Sequence, residues 1–418
     1  MGGSKRMINR TWGMIGSMRG NARAMLLFEP MWIIPYTMYN IYASLYMRDL
    51  GLNPEEIGLL ASVGLASYIL CSAFAGHLTD RLGRRRATLI FDLLGWSIPV
   101  AIWALAHNFW YFLIAALING LQAIPATSWT CLLVEDREPE ETRSIFIILQ
   151  MIGPLGGFVA PLAGLIVRSL GVVPGTRLLY LFALIGMTAM FLGRNHYTRE
   201  TAVGKARREA TDGHTIRDAL KDYRHSIRLL TANHTAVAFF LLTGILSFRE
   251  SLSAPFYQLF QVDRIGLAKD SLAIFPALGG AVAIFTLLVI LPWQSGKSER
   301  SSLILGITLT AGSLAALIWS PHKSIVTVAF STLCSAMGGA ILTPALNTGW
   351  YNSLGDEERA KVVALAMLVW GLIRMPAGYL GGILYQWGPR GPFLAGLVIL
   401  LLSMAFVIAW PAANRQNA

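Results

Sequence analysis

The stretch Gly76-His77-Leu78-Thr79-Asp80-Arg81-Leu82-Gly83-Arg84-Arg85-Arg86 stands between two long apolar runs, 56–79 and 86–106. A run of about 20 apolar residues spans a bilayer as a helix. The stretch therefore reads as a tight loop joining two spans. It holds an acid, four arginines and a turn glycine. Short arginine-rich loops stay on the cytoplasmic side, so this loop orients the rest of the chain.

Composition agrees with that reading. Of 418 residues, 55% are hydrophobic and 14% charged, and the mean hydropathy is +0.54. Soluble domains carry about 25% charged residues, so a polytopic membrane protein is the class that fits. Apolar runs recur at 23–47, 56–79, 86–106, 110–133, 143–167, 175–194, 233–260, 268–292, 301–319, 323–350, 361–386 and 391–412. Twelve spans put both termini on one side. Of the 34 Lys and Arg, 25 fall on the side of the Gly76–Arg86 loop and 7 on the other, with Arg249 and Arg374 inside spans. Both termini are expected in the cytoplasm.

The net charge of +11 is explained by this orientation. Nucleic-acid binding would need basic residues and aromatics together on a soluble face, and none is expected. Cys71, Cys131 and Cys334 lie in apolar runs without metal-ligand spacing. No phosphate-binding loop, H-E-x-x-H or Gly-x-Ser-x-Gly occurs, so neither a cofactor nor an enzyme activity is expected.

The Gly76–Arg86 stretch resembles the signature loop of the major facilitator superfamily, G-x-x-x-D-R/K-x-G-R/K-R/K. Gly76, Asp80, Arg81, Gly83, Arg84 and Arg85 occupy its defined positions. The resemblance implies an all-α membrane fold of twelve transmembrane helices in two pseudo-symmetric six-helix bundles. It also implies that Asp80 closes the cytoplasmic side against the start of the eleventh helix, here Arg359-Ala360-Lys361. The expected organisation is a cytoplasmic basic tail at 1–21, a first bundle at 22–194, a cytoplasmic linker at 195–232, a second bundle at 233–412 and a cytoplasmic tail at 413–418. Within the linker, 215–230 has the apolar spacing of a helix lying on the membrane surface. The loop after the eighth run keeps Gly296 and Lys297 but lacks an Asp-Arg pair.

Ionisable residues inside a bilayer are costly and are functional candidates by default. Arg249, Glu250 and Arg374 are the deepest. Glu250 is a candidate proton carrier, and either arginine can meet an anionic group through its planar fork. The competing expectation is a structural network joining these three. Glu29 lies in the first span, among the cavity-lining helices that the resemblance implies, or else at the headgroup level. Asp92 is expected to partner the Arg81–Arg86 cluster. Asn119, Gln122 and Asn347 are uncharged polar candidates, and Tyr36, with Trp32, Tyr39 and Tyr257, is a candidate aromatic wall.

Gly153-Pro154-Leu155-Gly156-Gly157 and Pro376, Gly378, Gly381 and Gly382 mark two helices suited to halves that rock. The first cluster is one residue short of the superfamily's antiporter pattern G-P-x-x-G-G. Ala116 stands four residues before Gly120, where the basic motif of helix 4 would place an arginine. The whole implies a monomeric secondary active transporter in the cytoplasmic (inner) membrane. It moves a small organic solute, amphipathic or anionic, by alternating access, with protons as coupling ion and export as direction. Uptake of a sugar or organic anion is the alternative, and a non-transporting sensor or assembly protein is a third reading.

Overall fold

The computed structural model describes residues 20–209, 227–294, 298–354 and 359–409. Residues 1–19 and 413–418 of the expected tails, most of the expected surface helix at 215–230 and the Gly296–Lys297 pair lie outside the described residues. Among those described, eleven helices are long and apolar enough to cross a membrane. The remaining apolar run, the first, is helical but broken into α1 (Gly20–Phe28), α2 (Pro30–Asn40) and α3 (Ala43–Asp49). Pro30 has no N–H to continue the ladder, so the helix resets at Glu29.

The second run forms α4 (Pro54–Leu82). Asn53 caps it, accepting from the Glu56 N–H while the Glu56 carboxylate accepts from the Asn53 N–H. At 1.5 Å per residue its 29 residues reach about 43 Å, longer than the hydrocarbon core. The expectation of a loop from Gly76 is corrected here. Helix continues to Leu82, and Gly83 alone makes the turn, with φ +84°.

The third run is α5 (Arg84–Asp92), a π turn at Leu93–Ser97, and α6 (Ile98–Ala104). The fourth is α7 (Phe109–Asn119), a 3₁₀ turn at Gly120–Gln122, and α8 (Ala123–Val134). Two unbroken helices follow, α9 (Pro139–Leu170) and α10 (Val172–Tyr197), and then the short α11 (Ala202–Glu209).

By contact the described chain falls into two compact units. The first lies within 1–214 and also takes 268–281 from the eighth run. In it α2 packs on α9 and α10, and both α4 and α5 pack on α8. Glycines let backbones approach. A Cβ at Gly280 would lie 2.7 Å from the Pro154 carbonyl, and one at Gly164 would lie 2.6 Å from that of Asp270. The Gly-Pro cluster of α9 is thus partly a packing seam. Two ion pairs lie near it, Lys269 with Asp49 at 2.8 Å and Arg168 with Asp270 at 3.9 Å.

The second unit lies within 215–267 and 282–418. It contains α12 (His234–Ser253), α13 (Tyr257–Asp263), α16 (Glu299–Ile318), α17 (Ile325–Asn352), α18 (Arg359–Arg374), α19 (Ala377–Trp387) and α20 (Gly391–Ala409). The eighth run contributes α14 (Ile274–Phe285), shared between the units, and α15 (Leu291–Gln294). Helices α16 and α17 meet along small residues, with the Ser313 and Ser331 hydroxyls 3.0 Å apart. In a bilayer such close packing and hydrogen bonding replace the hydrophobic drive between helices. Apolar side chains face outward: Ile185 is 71% exposed, Val326 78% and Leu402 65%. Lipid, not water, is the solvent that suits such a surface.

Candidate functional site

The first unit carries an open-sided cavity of about 240 Å³. Two helix irregularities shape it. The π turn follows Asp92 directly and carries Trp96, while the 3₁₀ turn of the fourth run carries Gln122. The two turns touch: a Cβ on Gly95 would lie 2.7 Å from the Gln122 amide nitrogen. Asn119 donates from Nδ2 to the Gly95 carbonyl at 2.7 Å and accepts from Gln122 Nε2 at 2.8 Å. Asn119 thus joins helices and orients Gln122, and Gln122 lines the cavity. Single π turns recur at functional sites because they displace side chains from the regular ladder.

The charges are Glu29, Asp92 and Arg194. Arg194 donates through Nη2 to the Asp92 carboxylate, and both residues are buried. The expectation that Asp92 serves the Arg81–Arg86 cluster is therefore corrected. Asp92 lies in α5 after the arginine-rich turn, and its partner comes from α10. Arg194, which sequence reading places at the very edge of the linker, is inside that helix and 4% exposed. Glu29, at the break between α1 and α2, lines the same cavity, and its side chain makes no hydrogen bond or ion pair among the described residues.

Trp32, Tyr68, Trp96 and Trp129 add aromatic surface. Trp32 stacks on Tyr36 at 4.8 Å and meets Trp96 edge-on at 5.1 Å. Tyr36 thus supports the wall from behind. Tyr39 is 3% exposed and packs on Tyr180 at 4.9 Å, away from the cavity. Tyr257 belongs to the second unit, where its hydroxyl meets Ser331, Thr332 and Gln261.

The signature residues form a separate cluster. Arg84 is 4% exposed and bridges two acids, Asp80 at 2.6 Å and Glu135 at 3.2 Å. Thr201 also donates to Glu135. Glu200 sits against Gly83 and accepts from the backbone N–H of Arg84 at 2.9 Å and of Arg85 at 3.1 Å. It supplies the anion that a helix N-terminus favours. Arg85 donates from Nε to the Asn195 carbonyl at 3.0 Å. Arg81 and Gly76 are exposed. The side chains of Arg359-Ala360-Lys361, the expected partner of Asp80, lie outside the described residues.

In the second unit the expected Arg249–Glu250–Arg374 network is not assembled by ion pairs among the described residues. Arg374 donates from Nε to Ser251 Oγ at 3.0 Å, and Arg249 Nε is buried without a hydrogen-bond partner. Glu250 and Asn347 are exposed. Adjacent helical residues point about 100° apart, so Arg249 and Glu250 cannot share one partner easily.

Sequence reasoning misses Arg194, Glu135, Glu200, Tyr68, Trp96 and Trp129. One signal was present. An acid inside an apolar run needs a cation at similar depth on another helix. Asp92 near the start of the third run and Arg194 near the end of the sixth meet that need if the two helices run antiparallel.

Comparisons with known proteins converge. Multidrug resistance protein 2 of Bacillus subtilis (strain 168) is 21% identical over 382 residues, covering 89% of this chain and 90% of that protein. Quinolone resistance protein NorA of Staphylococcus aureus (strain COL) is 22% identical over 378 residues, covering 85% and 89%. The solved structure of a point mutant of the nucleoside transporter NupG shares the fold at a TM-score of 0.71 and 13% identity, covering 93% of this chain and 97% of that one. The family model for the Major Facilitator Superfamily matches residues 32–375, and the chain belongs to that superfamily.

Proposed function

We infer that this membrane transporter exports a small amphipathic organic solute in exchange for protons, with Glu29 as the proton-carrying group. The observation behind this reading is the cavity that sets Glu29 beside the Asp92–Arg194 pair under aromatic walls. Arg194 gives its ion pair to Asp92, and Glu29 has no ion pair among the described residues. Either a proton or a cationic solute can neutralise Glu29. Each is therefore able to displace the other, which is what exchange requires. Trp32, Trp96 and Trp129 line the cavity, and an indole–cation contact is worth about 0.5–2 kcal/mol. At about 240 Å³ the cavity is smaller than the usual range of about 300–1,000 Å³ for drug-sized ligands. It suits one ring system of a larger solute. The resistance functions named for the B. subtilis and S. aureus relatives favour export.

A second reading rests on Arg249. A buried guanidinium Nε without a hydrogen-bond partner among the described residues favours an anionic solute group. Purified protein in proteoliposomes with an imposed pH gradient separates the two. Movement of an aromatic cation such as ethidium against the proton gradient, lost in Glu29→Gln, supports the first reading. Movement of an aromatic carboxylate, lost in Arg249→Gln and kept in Glu29→Gln, supports the second. Movement of neither solute defeats both.

A further inference from the structure

A second cavity, of about 300 Å³, lies away from the first and is lined by Arg85, Arg86, Lys205, Arg208, Glu200 and Glu209. Its walls are the first turn of α5 and the short helix α11. Four basic side chains face two acids, and one of those acids is already committed. Glu200 accepts the two backbone N–H groups that open α5. The side chains of Arg86, Lys205 and Arg208 make no ion pair or hydrogen bond among the described residues. Like charges gathered around one space repel one another, and an anion in that space relieves the repulsion.

The surroundings place the cavity at a membrane surface. Helix α10 ends at Tyr197, which is 66% exposed and stacks on Phe28 at 5.9 Å. Aromatic side chains of this kind sit at headgroup depth. Val203 of α11 is 42% exposed, so the helix shows an apolar residue outward while Lys205 and Arg208 line the cavity. Arginine forks match the oxygens of phosphate, and basic pockets at this depth take phosphorylated headgroups.

We propose that Arg85, Arg86, Lys205 and Arg208 form a binding site for a phosphate group, supplied by an anionic phospholipid headgroup or by free phosphate. The site does not depend on the transport reading, since none of its residues lines the Glu29 cavity.

The test is thermal unfolding of the full-length protein in nanodiscs. One arm compares phosphatidylcholine with an equal mixture of phosphatidylcholine and phosphatidylglycerol. The other adds inorganic phosphate to the phosphatidylcholine discs. In the wild type, phosphatidylglycerol is expected to raise Tm by roughly 2–4 °C. The rise should vanish in Lys205→Gln/Arg208→Gln and shrink in Arg86→Gln. It should persist in Arg207→Gln, whose side chain is on α11 but does not line the cavity. A rise with phosphatidylglycerol alone assigns the site to lipid, and an equal rise with phosphate assigns it to the free anion. No rise with either probe overturns the proposal. So does a rise unchanged in Lys205→Gln/Arg208→Gln, or one lost equally in Arg207→Gln, because general surface charge would then explain it. Arg86 is exposed on the rim, so Arg86→Gln keeps the test open if the double variant fails to fold.

Discussion

Arg194 of α10 holds the carboxylate of Asp92 at the end of α5, and the two buried side chains border the cavity that Glu29 also lines. Three charged groups from three apolar runs thus meet in one small space. The pair and Glu29 should respond differently to substitution.

Removing one partner of a buried ion pair leaves a bare charge in a low-dielectric setting. Asp92→Asn should therefore cost about 3–5 kcal/mol. Removing both, as Asp92→Asn/Arg194→Gln, should recover a large part of that loss. Unfolding of the purified protein in detergent reads both. Equal stability of the single and double variants would show that the pair does not carry the effect.

Glu29→Gln should leave stability nearly unchanged, because the Glu29 side chain has no hydrogen-bond or ion-pair partner among the described residues to lose. Proton release on adding ethidium to the purified protein should fall to background in this variant. Glu250→Gln, altering an exposed acid in the other unit, should release protons as the wild type does. Release abolished by Glu250→Gln and retained by Glu29→Gln would move the carrier to the second unit.

The signature glycines should not behave alike. Gly83 has φ +84°, and a Cβ there would lie 2.6 Å from Glu200 Oε2. Gly83→Ala should cost about 1–3 kcal/mol from backbone strain. Gly76 is inside α4 with nothing within 4 Å of an added Cβ. Gly76→Ala should gain about 0.5–1 kcal/mol by limiting the unfolded chain. Parallel thermal melts decide the contrast.

The same logic applies along α9. Gly164→Ala would place a Cβ 2.6 Å from the Asp270 carbonyl and 3.0 Å from the Ala273 Cβ. Overpacking of this kind costs about 1–3 kcal/mol. Gly153→Ala meets nothing within 4 Å and should be neutral or slightly stabilising. A harmless Gly164→Ala would mean that the α9 seam separates easily.

Arg84 bridges Asp80 and Glu135, so these residues should not act independently. A double-mutant cycle of Arg84→Gln with Glu135→Gln should give a coupling of about 0.5–3 kcal/mol in unfolding free energy. A coupling near zero would mean that the bridge adds nothing to stability.

Membrane spanning, span number and the signature turn were legible in the sequence because each depends on local chemistry. Twenty apolar residues in a row have few soluble alternatives, and a glycine beside three arginines can end a helix at an interface wherever it occurs. Only tertiary structure decided which charges meet. Asp92 took Arg194, 102 residues away, instead of the arginines a few residues before it, because the helix direction carries it away from them. Arg249, Glu250 and Arg374 shared similar depth in the sequence yet did not pair, because depth along a helix says nothing of the direction a side chain faces. Glu200 was an ordinary linker acid until the fold set it against the N-terminus of α5. Apolar length is a property of one segment, whereas a site is a coincidence of several, fixed by helix rotation and by glycines that let particular backbones touch.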